Sequence, residues 1–110
     1  MNYTQILDSV ISGLTELEKK YDFKFGVIVC GMRHIDPSSS LELAKLCVDY
    51  KNRRVVGFDL AGAEANHPPK DHLDAYYVAL NNNINCTLHA GEAWGPDSIH
   101  KAIHYCGTHR

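Results

Sequence analysis

Three short apolar runs, near residues 24–30, 55–60 and 84–89, alternate with four segments of helical periodicity. The starts of the runs recur about every thirty residues, the length of a βαβ unit. The order α-β-α-β-α-β-α predicts an α/β chain whose strands lie parallel and whose crossovers are right-handed. No sequence repeat underlies this structural one. Each residue suited to chemistry falls just past the C-terminal end of a strand, where barrels and open parallel sheets build their sites. A complete (β/α)8 barrel takes about 250 residues, so 110 residues with three strands cannot close one.

The first helix is expected over residues 3–20. Ile6, Val10, Leu14 and Leu17 form its apolar stripe, widened by Leu7 and Ile11. Glu16 and Lys20 have the spacing of an i,i+4 pair, and Lys19-Lys20 suit the C-terminal end of the helix dipole. In the first strand Val27-Ile28-Val29 is apolar on both faces, as in a sheet covered on both sides. A second helix is predicted over residues 40–50, with Ser39 and Glu42 as a capping box and Leu43, Leu46, Cys47 and Tyr50 inward. The third helix carries Leu73, Tyr76, Tyr77 and Leu80 at i, i+3, i+4, i+7 and ends in three asparagines. The fourth carries Ile99, Ala102, Ile103 and Cys106, and Gly107 stops it.

A formal net charge of −2, with neither sign clustered, argues against a nucleic-acid or membrane-surface partner. The longest apolar run is far too short to span a bilayer and no signal peptide precedes it, so a cytoplasmic location is expected. Cys30, Cys47, Cys86 and Cys106 are widely spaced without a C-x-x-C pair, and they are expected to be buried reduced thiols.

The most informative stretch runs from Ile84 to Glu92. Ile84, Cys86 and Leu88 alternate with Asn85, Thr87 and His89, and Ala90-Gly91 then ends the strand. His89 therefore sits at a strand end and Glu92 on the following turn. Neutral imidazole can bind a metal. A carboxylate three residues on can move protons beside that metal without ligating it. Taken alone, a histidine at a strand end more often just bonds to backbone, and Glu92 could equally be a solvated turn residue or a helix-start anion.

Thr87-Leu88-His89-Ala90-Gly91-Glu92 and the upstream Gly57-Phe58-Asp59-Leu60-Ala61-Gly62-Ala63-Glu64 resemble two segments of the adenosine deaminase family, T-[VL]-H-A-G-E and G-[IF]-D-L-A-G-x-E. Gly95-Pro96-Asp97-Ser98-Ile99 with Ala102-Ile103 resembles the helix after the first of these, and Met32-Arg33-His34 resembles a third segment upstream. Four matches in order are a specific signal; any one alone is weak. Ala63 departs from the acidic residue many members carry there.

The resemblance implies a fold and a chemistry. The chain would be the middle section of the family's barrel, strands three to five with their helices, and a fragment over residues 1–110. The family's H-x-H zinc pair would lie upstream of Met1, its R-[IL]-G-H-G motif would begin at Arg110, and its aspartate pair is missing. The family's reaction is hydrolytic deamination of adenosine to inosine, in which zinc activates water for attack on C6 of the purine. By this resemblance His89 is a zinc ligand and Glu92 is the acid that protonates ring N1. Gly62 offers its backbone N–H to purine N3, and Met32 is a pocket wall. Asp59 and Glu64 take only supporting roles. The isolated fragment is expected to be inactive. It is also expected to self-associate through open sheet edges and through an interior face bearing some of Val27, Val29, Val55, Ile84 and Cys86.

Other features have plainer readings. His100 and His104 have metal-capable i,i+4 spacing but no evident third ligand, which favours a solvated helix edge. His67, His72 and His109 are expected at the surface, and Met32, Trp94 and Tyr76-Tyr77 as packing residues. Two alternatives stay open. One is an adenine deaminase fragment, to which Asn66-His67-Pro68-Pro69 bears a looser likeness. The other is a non-catalytic α/β module that binds partners through its sheet edges.

Overall fold

A computed structural model describes all 110 residues. Helix α1 spans Tyr3–Lys20, strand β1 Val27–Met32, helix α2 Pro37–Asp49 and strand β2 Val55–Ala61. A 3-10 turn at Pro69–His72 leads into α3, Leu73–Asn81, followed by β3, Asn85–Cys86, and α4, Pro96–His104. The three strands are parallel and lie in chain order, β1-β2-β3, as consecutive strands of a barrel wall do. No helix is long and apolar enough to cross a membrane.

Strand alternation sorts the sheet into two unlike faces. Val29, Phe58 and Cys86 share one row, and Phe58, Leu60, Cys86 and Leu88 are buried on the helix-covered side. The core there includes Ala44, Leu46 and Cys47 of α2 with Ala75, Tyr76 and Ala79 of α3. Tyr76 stacks edge-on against Phe58 at 5.4 Å and donates its hydroxyl to the Thr87 carbonyl at 2.8 Å. The opposite face carries Ile28, Cys30 and Met32 from β1, then Asp59 from β2 and Thr87 and His89 beyond β3. Ile28 is half-exposed at 50%. The residues expected on the barrel-interior face, Val27, Val29, Val55, Ile84 and Cys86, are thus the wrong set. Val55, Ile84 and Cys86 are buried in the helix-side core, and Val27 and Val29 pack against it. The bulky pair Phe58 and Leu60 fixes this phase. A one-residue shift would send both to the open side.

Several boundaries also differ from the sequence reading. β1 begins at Val27 rather than 24 and runs on to Met32, because β2 continues to Ala61 and supplies pairing partners for Gly31 and Met32. A register irregularity after Val27 leaves Val56 half-exposed. The third strand is formally two residues long, yet the ladder continues through Thr87 N–H to the Phe58 carbonyl and His89 N–H to the Leu60 carbonyl, both 3.0 Å. Its outer edge is not open. His109 N–H donates to the Cys86 carbonyl at 2.9 Å, and Leu88 N–H donates to the Arg110 carbonyl at 3.0 Å. The last three residues therefore lie where a next strand would start.

Helix α2 starts at Pro37, and its cap is Asp36, whose carboxylate accepts from Ser38 N–H at 2.8 Å. No Ser39–Glu42 capping box forms, since aspartate followed by proline already satisfies and pre-shapes the first turn. Ser40 is buried instead. On α1 only Leu7 is fully buried, while Ile6, Val10 and Leu17 remain 43–45% exposed. Ile6, Leu7 and Val10 face Val27 and Val29 of β1 and Leu43 and Leu46 of α2 across an apolar cleft, so part of the stripe has no covering element. Tyr77 is exposed rather than core, because α3 turns Ala75, Tyr76 and Ala79 inward. On α4 the buried residues are Ser98 and Ala102, with Cys106 just beyond, and Ile99 and Ile103 stay exposed. Cys30 is the one exposed thiol of four. His72 is buried rather than on the surface; its Nδ1 meets Ser40 Oγ at 2.8 Å and its Nε2 meets the Arg33 carbonyl at 3.1 Å.

Candidate active site

The C-terminal ends of the strands converge on Asp59. Its Oδ2 lies 3.0 Å from His89 Nδ1, and its Oδ1 accepts the Thr87 hydroxyl at 2.8 Å. The Cys30 thiol approaches Oδ2 at 3.6 Å. Burial and the Asp59 charge push this thiol up to about 11, so it stays protonated at neutral pH and acts as a donor. The His89 side chain is 57% exposed and the Asp59 side chain 10% exposed, so the ring stands over the open face on a nearly buried carboxylate. With Nδ1 engaged, Nε2 is the ring nitrogen left for a metal or substrate. His89 and Glu92 line one cleft of about 360 Å³ together with Asp59 and Thr87.

Met32, Ala61 and His89 form the last row across the sheet, by pairing of Met32 with Ala61 and by the His89 N–H bond to Leu60. Gly62 follows immediately with φ +96°, a conformation that favours glycine. A Cβ on Gly62 would come within 3.0 Å of His34 Nδ1 and 3.1 Å of Met32 Cε. Met32 and Gly62 are therefore neighbours, beside the His89–Glu92 cleft rather than in its lining.

Two charged residues hold the loops in place. Arg33 is buried; it donates through one terminal nitrogen to the His67 carbonyl at 3.2 Å and through the other to the His89 carbonyl. Glu64 is 5% exposed, and its carboxylate accepts from the amides of Gly91, Glu92, Ala93 and Trp94 at 2.8–3.3 Å. Its own carbonyl accepts from Trp94 Nε1 at 3.1 Å. Burial alone would raise the Glu64 pKa; the Ser98 hydroxyl and the amides of Ala93, Gly91 and Glu92 outweigh it and hold the carboxyl at about 2. Ser98 Oγ has no partner of full hydrogen-bond geometry, yet it lies near enough to this carboxylate to favour the charged form. Asp59 and Glu64, expected in supporting roles, make these contacts at His89 and at the 91–94 turn, and Arg33 was singled out only within the Met32-Arg33-His34 segment. An arginine directly after a strand was the available signal. Its partners, 34 and 56 residues away, were not.

His89 is a single donor. No group of three or more histidine, cysteine, aspartate or glutamate side chains is arranged to hold a metal ion. The donor chemistry at His89 Nε2 fits one zinc ligand, and a zinc centre takes three or four. His100 and His104 stack at 4.3 Å on the exposed side of α4, also without a third ligand.

The family model described as adenosine deaminase matches residues 1–110. The chain belongs to the adenosine deaminase family. Among its relatives, an adenosine deaminase of Mycobacterium leprae is 42% identical over 115 residues, covering all of this chain and 31% of that protein. An amidohydrolase of Burkholderia ambifaria, solved with bound zinc, superposes with TM-score 0.92 at 19% identity, over all of this chain and 30% of that one. Arabidopsis ADAL, solved in complex with IMP, gives TM-score 0.83 at 26% identity, over 96% of this chain and 33% of its own. The chain spans 14–31% of the length of curated relatives it matches. The fold is accordingly that of part of a deaminase barrel, three consecutive parallel strands with their helices.

Proposed function

We propose that these residues form the strand-end section of a zinc-dependent active site that deaminates adenosine or a related purine nucleoside by hydrolysis. The observation that carries this reading is the Asp59–His89 pair beside Glu92 in one cleft at the C-terminal ends of parallel strands. Zinc, when bound, supplies an activated water near neutral pH. His89 is one ligand through Nε2, and Asp59 fixes its tautomer and ring direction. Glu92, on the turn after that strand, gives a proton to ring N1 so that charge does not build up on the purine. Such a transfer contributes about 10²- to 10⁴-fold in rate. Gly62 presents its N–H to purine N3, and the missing side chain permits close approach. Met32, beside Gly62, forms the wall of the base pocket. The remaining metal ligands would come from outside these residues, so the 110-residue chain is expected to be inactive alone. The IMP complex of the Arabidopsis relative adds purine nucleotides to the substrates worth assaying.

The reading is tested by replacing the homologous segment of a complete family deaminase with these 110 residues. Conversion of adenosine to inosine that chelation abolishes is the expected result. Turnover of adenine in preference to adenosine would favour the adenine deaminase alternative. A folded, zinc-loaded hybrid with no purine turnover would contradict the proposal.

A further inference from the structure

We propose that Glu64 is a positioning residue for Glu92, acting through the backbone turn that carries it; this rests on the reading of Glu92 as the proton donor. Each Glu64 oxygen takes two amides. Oε1 accepts from Gly91 at 3.0 Å and Trp94 at 3.3 Å, and Oε2 accepts from Glu92 at 2.8 Å and Ala93 at 3.1 Å. Four successive amides pointing at one anion form a nest, here filled by the chain's own carboxylate. Gly91 makes the reversal possible with φ +91°, and a Cβ there would sit 2.9 Å from Ile99 Cδ1.

A nearly buried carboxylate is costly unless its charge is compensated. The ion pairs of the structure all lie elsewhere. The compensation comes instead from the turn that bears Glu92. Pinning the Glu92 amide fixes the root of its side chain relative to β2, while the side chain itself stays exposed. Glu64 also lies two residues after Gly62, so one short segment carries both the amide proposed to face the purine and the carboxylate that holds the Glu92 turn. Glutamine is not a conservative replacement at 64. Its NH₂ would face two of the four N–H donors, leaving buried donors unpaired.

Two measurements test this. In the 110-residue chain, amide hydrogen exchange should find Gly91, Glu92, Ala93 and Trp94 protected, and Glu64→Gln should remove the protection of at least two of them while the Arg33 and Thr87 amides, bonded to β2 carbonyls, stay slow. Protection of all four retained in the variant, or absent in a parent whose Arg33 and Thr87 amides are slow, would overturn the proposal. In a complete zinc-loaded family deaminase carrying this segment, Glu64→Gln should lower kcat about a hundredfold, the scale of a 1 Å misplacement. KM and zinc content should stay at the parent's values, and Glu64→Asp, which keeps the charge on a shorter arm, should restore part of kcat. A kcat equal to the parent's in Glu64→Gln overturns the proposal. If Glu64→Gln does not fold, Glu64→Asp decides: a partial loss of kcat at parent KM supports the assignment, and parent kcat overturns it. An inactive parent counts against the reading of Glu92, and the exchange measurement then decides the clamp on its own.

Discussion

Asp59 Oδ2 and His89 Nδ1 stand 3.0 Å apart across neighbouring strand ends. The same carboxylate also accepts from Thr87, so its position is fixed before the histidine is considered. A carboxylate on Nδ1 selects the tautomer in which that nitrogen carries the proton and leaves Nε2 as the open donor. The strand-end histidine is thereby held, with Nε2 free, by a residue from the neighbouring strand.

Removing that support should be felt at the metal. In a complete deaminase carrying this segment, Asp59→Ala should weaken zinc binding by about 10- to 100-fold, as loss of such outer partners does. Competition against a chelator of known affinity measures it. Unchanged zinc affinity would mean that the pair does not orient the ligand.

Glu92→Gln should separate proton transfer from metal binding. Glutamine keeps the shape but cannot give the proton, so turnover should fall by about 10²- to 10⁴-fold with zinc content intact. Loss of zinc, or near-normal turnover, would show that the assigned role is wrong.

The Glu64 turn should resist acid. Its carboxyl sits at about 2, against an ordinary value of 4.5. A depressed folded-state pKa gives stabilisation that is full above the unfolded value, declines as pH falls below it, and is gone once pH passes the folded value. Trp94, the sole tryptophan, donates to Glu64 and reports on the turn. Its emission should hold steady from pH 7 to pH 4 and change near pH 2. A midpoint near 4.5 would mean that the four amides do not hold the carboxylate.

Zinc should do little for the chain by itself. One histidine donor without a cluster cannot form a zinc centre. Ile28, Val56 and the Ile6–Val10–Leu17 side of α1 leave apolar surface uncovered. Light scattering should show association that rises with concentration, and a thermal melt should be unmoved by one equivalent of zinc. A monomer with a sharp, concentration-independent melt, raised several degrees by zinc, would contradict both expectations.

The order of helices and strands was legible because each element's periodicity is local. The phase of β1 was not: Val27-Ile28-Val29 is apolar throughout, so only packing against Phe58 and Leu60 could say which face turned inward. Asp36 displaced the Ser39–Glu42 capping box because two competing caps lie three residues apart and only one can begin the helix. His72 looked like a loop histidine until Ser40 and the Arg33 carbonyl, 32 and 39 residues distant, enclosed it. His89 and Glu92 stood out by spacing and by likeness to the family segments. What binds them in place comes from residues 28–30 positions away for Glu64 and Asp59, which no local pattern reveals.

If this segment carries the metal-binding histidine and the acid of a purine deaminase, removing that histidine should abolish metal and turnover together. The most direct test is zinc content and adenosine turnover of a complete family deaminase bearing these 110 residues, measured beside its His89→Ala variant. The parent should convert adenosine to inosine in a chelator-sensitive way, and the variant should lose both zinc and turnover. Full zinc occupancy and turnover after His89→Ala would contradict that role for His89.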